Sequence, residues 1–275
     1  MFDGIGFIAL GLGVGVFGTL IGAGGGFILL PILAILYPTE PTGTLTATSL
    51  AVVAANATSG ALAYGRQRRI DLRSGLAFAV ATLPGSVAGA LLARLIPRGP
   101  FDVGVAALLL LLAAVLSRFR PQDVAPSDPR ARWGRVTREL TDAEGVVHRF
   151  HVELPLGVGL SFVVGFASSL LGIGGGFIHV PVLIALLGFP IHVATATSHF
   201  VLAIMATVGT ATHVVAGDFG GQWSRPVLIS IGAVLGAQGG AWLSRRVHGT
   251  WIVRLLTASL VVVALRLAAQ GLFGL

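Results

Sequence analysis

Two glycine-rich segments of this chain have the residue types that could bind an anion inside a membrane. The segment Gly22–Gly26 recurs as Gly172–Gly176, about 150 positions later. Three adjacent glycines disfavour helix by about 1 kcal/mol each relative to alanine, and they allow a positive φ. Each segment therefore predicts a helix break followed by a half-helix, whose first N–H groups and dipole attract negative charge. The candidate substrate-binding backbone groups are those of Gly24, Gly25, Gly26, Gly174, Gly175 and Gly176.

Polar side chains follow both glycine segments at matching distances. Hydroxyls can hydrogen-bond an oxyanion, but in membrane helices they also bond to their own backbone, so both roles are open. Amides such as Asn56 and Gln238 are costly in hydrocarbon unless they are paired. The side chains expected to line a cavity are Thr48, Ser49, Asn56 and Thr58 from the first half, and Thr197, Ser198, His199 and Thr207 from the second.

Three histidines interrupt apolar stretches of the second half: His179, His199 and His213. Histidine is the side chain whose charge changes near neutral pH, and ionisable groups at membrane depth are commonly functional. These three are the candidates for proton coupling, and a neutral histidine bonded within a helix interface is the alternative. His199 is the first choice, because it follows the Thr197-Ser198 pair.

The elements that must position these residues are membrane helices. The chain is 55% hydrophobic and 11% charged, whereas a soluble domain carries about 25% charged residues. Its apolar segments approach the ~20 residues that span a bilayer and lack the alternation of a β-barrel. We predict an all-α polytopic membrane protein with about 8–10 transmembrane or half-membrane helices. The net charge of +7 then indicates topology and lipid contact rather than nucleic-acid binding.

The chain divides into two homologous repeats, 1–117 and 155–275, joined by a polar linker, 118–154. The linker holds seven arginines and six acidic residues, and its second part predicts a small β-hairpin. It is either a regulatory or docking element or a solvated linker between the repeats. Its arginines, like those of the loop 65–73, predict a cytoplasmic position. In the second half the arginine excess moves by one loop, which favours inverted repeats over parallel ones.

The duplicated Gly-x-Gly-Gly-Gly-Phe-x-x-x-Pro block, the Ala-Thr-Ser segment after it and the polar mid-chain loop resemble the TauE/SafE sulfite exporter family, also called the toluene sulfonate uptake permeases. The resemblance covers nearly the whole chain in both halves. It implies a multi-pass transporter of the bacterial inner membrane for small sulfur-containing anions such as sulfite, sulfoacetate and other organosulfonates. On this chain the family motifs fall on Gly24–Gly26, Pro31, Gly174–Gly176, Pro181 and the Thr-Ser pairs.

These observations predict a secondary transporter of such an anion that works by alternating access between the repeats and is a candidate for proton coupling. An anion channel for small oxyanions is the alternative. An intramembrane enzyme using Ser168 or Ser169 finds no support, because no base follows at a defined spacing. We expect no catalytic residue, no cofactor and no metal, and the chain has no cysteine. The expected partners are the anionic substrate and the lipid bilayer, with a homodimer left open.

Overall fold

The computed structural model describes residues 4–37, 39–92, 98–118, 134–171 and 174–273, and within them the chain is mostly helical. A two-stranded hairpin, β1 (Arg135–Thr141) and β2 (Val147–Glu153), separates two sets of five helices. The helices are α1 (Gly4–Leu20), α2 (Gly26–Leu36), α3 (Thr42–Arg66), α4 (Leu72–Leu92), α5 (Arg98–Arg118), α6 (Leu154–Leu171), α7 (Gly176–Ala185), α8 (Ile191–Val215), α9 (Ser224–Ser244) and α10 (Gly249–Phe273).

Four helical segments are long and apolar enough to cross a membrane: Gly43–Arg66, Ile191–Val215, Ser224–Ser244 and Gly249–Gly271. Six further apolar segments of 10–17 residues accompany them in the described residues. Because backbone polar groups must be satisfied internally in lipid, this helical composition is that of a polytopic membrane protein. The predicted fold class is confirmed, including the break of the first helix in each half.

Helices α3 and α8, which hold equivalent places in the two halves of the sequence, run in opposite directions. The carbonyl of Gln67, just after α3, accepts a 2.9 Å hydrogen bond from the turn of the β-hairpin. Phe189, just before α8, also packs on the hairpin, with its ring centroid 4.8 Å from that of Phe150. The other end of α8 lies near the start of α3, where the Asp218 carboxylate is beside Gly43. We call these two ends of the molecule the hairpin face and the far face.

The interrupted helices enter the bundle from these opposite faces. Helix α2 ends at the far face, where the Arg225 guanidinium at the start of α9 lies 3.8 Å from the centre of the Tyr37 ring. Helix α1 begins at that face too, since Gly4 lies near Leu228 of α9. Helix α6 instead follows β2 directly, and α7 ends near Phe189, so this pair enters from the hairpin face. This opposite orientation is what inverted repeats require.

Small residues allow the helices of the two halves to approach closely. A Cβ atom on Gly11 of α1 would lie 2.0 Å from the Ile229 carbonyl oxygen of α9. A Cβ atom on Gly165 of α6 would likewise lie 2.3 Å from the Thr82 carbonyl oxygen of α4. Both distances are far below van der Waals contact, so only glycine fits there. The pairs α1–α9 and α6–α4 are equivalent under the sequence repeat.

The hairpin packs against the helical bundle instead of standing free as a solvated connection. Phe150 and Val152 of β2 are buried, at 2% and 0% exposure. From β1, Arg138 Nε lies 3.3 Å from Asp71 Oδ2 in the loop between α3 and α4. A regulatory or docking role for this part of the linker stays a prediction. Residues 119–133 of the linker lie outside the described residues.

Candidate functional site

The first glycine segment separates α1 from α2 with a tight, left-handed connection. Gly22, Gly24 and Gly25 have φ values of 80°, 77° and 81°, a region that costs other L-residues roughly 1–2 kcal/mol. The amides of Ala23 and Gly24 donate to the Gly18 carbonyl at 2.8 and 3.1 Å, which ends α1. The break therefore falls between Leu20 and Gly26, as the glycine pattern predicts.

The second segment ends α6 and starts α7 at Gly176. Gly174 has a φ of 79°, but Gly175, unlike Gly25 in the first copy, is right-handed with a φ of −80°. Gly172 and Ile173 lie outside the described residues. The two copies thus have the same break and different local backbones, so the site cannot have exact two-fold symmetry.

The tips of the two interrupted pairs touch. A Cβ atom on Gly176 would lie 2.8 Å from the Ala23 Cα atom, and the rings of Phe27 and Phe177 pack with centroids 5.9 Å apart. Helix α2 runs from this point to the far face and α7 runs to the hairpin face. The N-termini of the two half-helices therefore converge from opposite directions.

Backbone amides without an intrahelical acceptor lie at this meeting point. In α2 the first amides with backbone acceptors are those of Ile28 and Leu29, which donate to Gly25. In α7, Ile178 and His179 likewise donate to the carbonyl of Gly175. The preceding amides at each N-terminus have no intrahelical acceptor, as at every helix start. Two sets of buried N–H groups and the positive ends of two helix dipoles thus share one region.

Two apolar side chains lie between the glycine segments. Val53 of α3 and Leu202 of α8 occupy equivalent places in the repeats, and both are buried. Each is a near neighbour of Gly24 and of Gly174. They therefore fill space between the two glycine segments.

Asn56 connects the first glycine segment to His199. Its Nδ2 donates to the Gly24 carbonyl at 3.1 Å, and its Oδ1 accepts from Thr19 Oγ1 at 3.1 Å. The His199 Nε2 atom lies 3.2 Å from the same Thr19 oxygen. Because the Thr19 proton is directed to Asn56, His199 must donate through Nε2–H. Asn56, Thr19 and His199 are all fully buried.

Thr19 and Tyr64 belong to this network although the sequence analysis did not propose them for the site. The Tyr64 hydroxyl donates to the Thr19 carbonyl at 2.8 Å, and its ring meets the His199 imidazole edge-on at 5.7 Å. Thr19 comes just before the first glycine segment, and this position is the feature of the sequence that could have marked it as a site residue. Nothing in the sequence identified Tyr64 as its partner.

Four of the predicted hydroxyl residues are buried. Ser49 and Ser198 are buried and donate to the carbonyls of Gly26 and Gly22, at 3.5 and 3.2 Å, so they hold the glycine segments in place. Thr197 accepts a 3.1 Å hydrogen bond from the Asp71 amide in the loop between α3 and α4. Thr48 is buried, at 2% exposure.

Two of the expected cavity residues are exposed. They are Thr58 of α3 and Thr207 of α8, and Thr207 Oγ1 donates to the carbonyl of Ala203 within its own helix. That these two residues line a cavity stays a prediction. Gln238 is paired as expected, donating to Ser59 Oγ at 2.7 Å.

The other two candidate histidines lie outside the Asn56 network. His179 is buried in α7, with Nε2 3.3 Å from Ser161 Oγ and its ring edge-on to Phe78. His213 lies at the far-face end of α8, where Nδ1 is 2.6 Å from Asp218 Oδ2. Of the three candidate histidines, His199 is the one whose side chain joins the Thr19–Asn56 network at the first glycine segment.

A bundle of apolar helices with two opposed, interrupted helix pairs is the architecture of a membrane transporter. The family model described as "Sulfite exporter TauE/SafE" matches residues 7–267. The chain belongs to this family. It is 30% identical to YunE, a probable membrane transporter protein of Bacillus subtilis, over 97% of both chains. A probable membrane transporter protein of Methanocaldococcus jannaschii is 27% identical over 78% of this chain and 73% of its own length. No solved structure matches the chain.

Proposed function

We propose that this membrane transporter of the TauE/SafE type carries a small sulfur-containing oxyanion, such as sulfite, sulfoacetate or another organosulfonate, by alternating access. The observation that supports the proposal best is the contact of the two glycine segments, where Gly176 abuts Ala23. Proteins bind oxyanions at helix N-termini without a cationic side chain. Here two N-termini approach the same place from opposite faces.

The chemistry of the meeting point fits an SO₃ group better than a cation or a neutral solute. Three oxygens sharing negative charge need several donors, which the free amides of α2 and α7 supply. Each helix N-terminus stabilises an anion by typically 0.3–1 kcal/mol when exposed and by up to about 2 kcal/mol when partly buried. Asn56 and the Ser49 and Ser198 hydroxyls are close enough to the segments to complete the coordination when the carbonyls release them.

Alternating access follows from the opposed entry of the helix pairs. The pair α1–α2 is anchored at the far face and α6–α7 at the hairpin face, and Val53 and Leu202 close the gap between their tips. Movement of one pair away from these side chains would open the site to one face while the other face stays closed. A channel would need both paths open together, whereas a carrier opens them in turn.

His199 is the group that we assign to proton coupling. Its Nε2–H is committed to Thr19, so proton uptake takes place at Nδ1 and gives a cation beside the first glycine segment. A positive charge there attracts the anion, and its loss releases the anion. Binding of substrate and of the proton would then favour each other.

We place the protein in the bacterial inner membrane with the hairpin face in the cytoplasm. The loop with Arg66, Arg68, Arg69 and Arg73 lies at that face beside the hairpin. Short loops rich in arginine remain on the cytoplasmic side.

Uptake of labelled sulfite, sulfoacetate or toluene sulfonate into proteoliposomes tests the proposal. We expect saturable flux that follows an imposed pH gradient or membrane potential. Flux that rises linearly with concentration would identify a channel. Absence of flux for every one of these anions at every gradient, with the protein correctly folded in the vesicles, would overturn the proposal.

A further inference from the structure

A cavity of about 250 Å³ opens at the hairpin face, away from the glycine segments. It lies between the hairpin turn, the C-terminal end of α3 and the C-terminal end of α9. Its polar lining comes from Arg66, Gln67, Arg69, Glu144, Gln238 and Arg245. Three guanidinium groups around one small space form an unusual concentration of positive charge in a chain with 11% charged residues.

Arg69 is the residue that points to a ligand. It is only 5% exposed. Its Nε lies 3.7 Å from Asp142 Oδ2 and its Nη2 lies 3.6 Å from Glu144 Oε2. Its Nη1 is buried and has no hydrogen-bond partner among the described residues. An unmatched buried donor on a charged group is costly, and a bound anion would remove that cost.

Glu144, in the hairpin turn, supplies the negative charge that the cavity holds in this structure. Its carboxylate bridges Arg69 and Arg245, with Oε1 2.9 Å from Arg245 Nε. The side chains of Glu144 and Arg245 are 43% and 46% exposed. Because exposed ion pairs contribute little to stability, an incoming anion can displace this carboxylate at small cost.

We propose that this cavity is a binding site for a tetrahedral oxyanion of the sulfate or phosphate type, and that Glu144 competes with the anion for Arg69 and Arg245. Guanidinium groups offer paired N–H donors that match the oxygens of such anions. Binding would free the Glu144 carboxylate from Arg69 and Arg245. The same chemistry occurs in a free inorganic anion and in the phosphate of an anionic lipid. The site does not depend on which solute the protein transports.

Calorimetry and thermal unfolding of the full-length protein in a neutral detergent test the site, with sodium sulfate compared with sodium chloride at equal ionic strength. We expect sulfate to raise the melting temperature above the value in chloride. Arg245→Gln should weaken sulfate binding by about fivefold or more, the size of a lost charge-assisted contact. Glu144→Gln should strengthen it by about threefold, because the competing carboxylate is gone.

Arg254→Gln is the matched control, because it removes the same charge from α10, where Arg254 lies over the ring of Trp251. Arg69→Gln should abolish binding, but this buried residue also supports the fold, so Arg245→Gln is the deciding variant. Sulfate binding that is absent from both the wild type and Glu144→Gln would overturn the proposal. Equal weakening by Arg254→Gln and Arg245→Gln would overturn it as well.

Nanodiscs separate the two sources of the anion. If free anions are the ligand, sulfate stabilises the protein equally in discs of phosphatidylcholine and of phosphatidylglycerol. If lipid phosphate is the ligand, phosphatidylglycerol itself stabilises the wild type, and added sulfate then gives no further stabilisation. Phosphatidylglycerol should not stabilise Arg245→Gln. Either result is obtained without measuring transport, so failure of the proposed substrate and failure of this site are distinguishable.

Discussion

The rings of Phe27 and Phe177 pack on each other with centroids 5.9 Å apart and planes inclined by 32°. The two residues hold the same place in the repeated block, one residue after the glycine triplet in each half. Each is also the second residue of its half-helix. The contact therefore joins the starts of α2 and α7 directly, and it fixes how closely the two sets of free amides approach.

Replacing either ring should destabilise the protein by a similar amount. Phe27→Ala and Phe177→Ala each remove a fully buried ring, a change that costs about 3–5 kcal/mol in protein cores. The double variant should cost less than the sum by about 0.5–1.5 kcal/mol, the coupling expected of an aromatic pair. Thermal or denaturant unfolding in detergent measures all four proteins. Phe162→Ala, which removes a 43% exposed ring, is the control and should lower the stability much less. If the stability losses of Phe27→Ala and Phe177→Ala simply add in the double variant, the two rings are not coupled.

The helix breaks could be predicted from the sequence, because consecutive glycines remove helix propensity wherever they occur. The predicted new starts near Gly26 and Gly176 are those of the structure. The small β-hairpin was predictable for a similar reason, since its turn residues are local. The described strands are Arg135–Thr141 and Val147–Glu153, both in the second part of the linker.

The partners of the polar side chains could not be predicted, because they depend on how distant helices rotate about their axes. Thr58 and Asn56 are two positions apart on α3, yet Asn56 is fully buried and Thr58 is exposed. An amphipathic helix would have revealed its inner face, whereas small polar residues of α3 and α8 occur at both buried and exposed positions. The contact between Thr19 and His199 spans 180 positions, and no local pattern encodes it.

A side chain at Gly25 should disable transport. Gly25 has a φ of 81°, and a Cβ atom there would lie 2.8 Å from the Val14 carbonyl oxygen. Gly25→Ala must therefore change the backbone at the start of α2, at a cost of at least 1–2 kcal/mol from the left-handed conformation alone. We expect a lower melting temperature and loss of flux in proteoliposomes. Gly13→Ala, in open space on α1, should keep the melting temperature and the flux of the wild type. Normal flux through Gly25→Ala would show that the substrate site lies away from this segment.

Asn56→Asp should stop transport with little change in shape. The carboxylate still accepts from Thr19 but cannot donate to the Gly24 carbonyl, and it places a negative charge beside the proposed anion site. Loss of one such bond in a buried place costs about 1–3 kcal/mol, or about tenfold or more in binding. Substrate-dependent flux measures the effect, and gel filtration checks the fold. Thr58→Val, at an exposed position of the same helix, is the control. Full flux in Asn56→Asp would contradict the proposed role.

The ion pair at the far face should contribute stability that depends on pH. Both Arg225 Nη atoms donate to Glu40, at 2.6 and 2.7 Å, and this hydrogen bonding holds the pKa of Glu40 below its ordinary value against the opposing effect of burial. Because the folded-state pKa is lowered, the stabilisation is complete above the unfolded pKa of about 4.3 and is lost as the pH falls through the folded value.

Glu40→Gln should therefore lower the melting temperature at pH 7 by the equivalent of about 1–3 kcal/mol, the contribution of charge-assisted hydrogen bonds. The difference in melting temperature between Glu40→Gln and the wild type should become smaller as the pH is brought below 4. Glu139→Gln, which removes an exposed partner of Arg149, is the matched control and should have almost no effect. If the melting temperature of Glu40→Gln is lower than that of the wild type by the same amount at every pH, the ion pair is not the cause of the loss.

His199→Gln should separate transport from its dependence on protons. Glutamine retains an N–H that can donate to Thr19 Oγ1, as the imidazole Nε2 does at 3.2 Å, but it cannot gain a charge. If His199 carries the coupled proton, the variant should fold, and its flux should respond to the substrate gradient while losing its response to a pH gradient. His213→Gln is the control, since His213 pairs with Asp218 at the far-face end of α8 and should keep the pH response. Unchanged proton-driven flux in His199→Gln would exclude His199 as the coupling group. Tyr64, the other ionisable side chain of the Thr19 network in the described residues, already donates its hydroxyl proton to the Thr19 carbonyl.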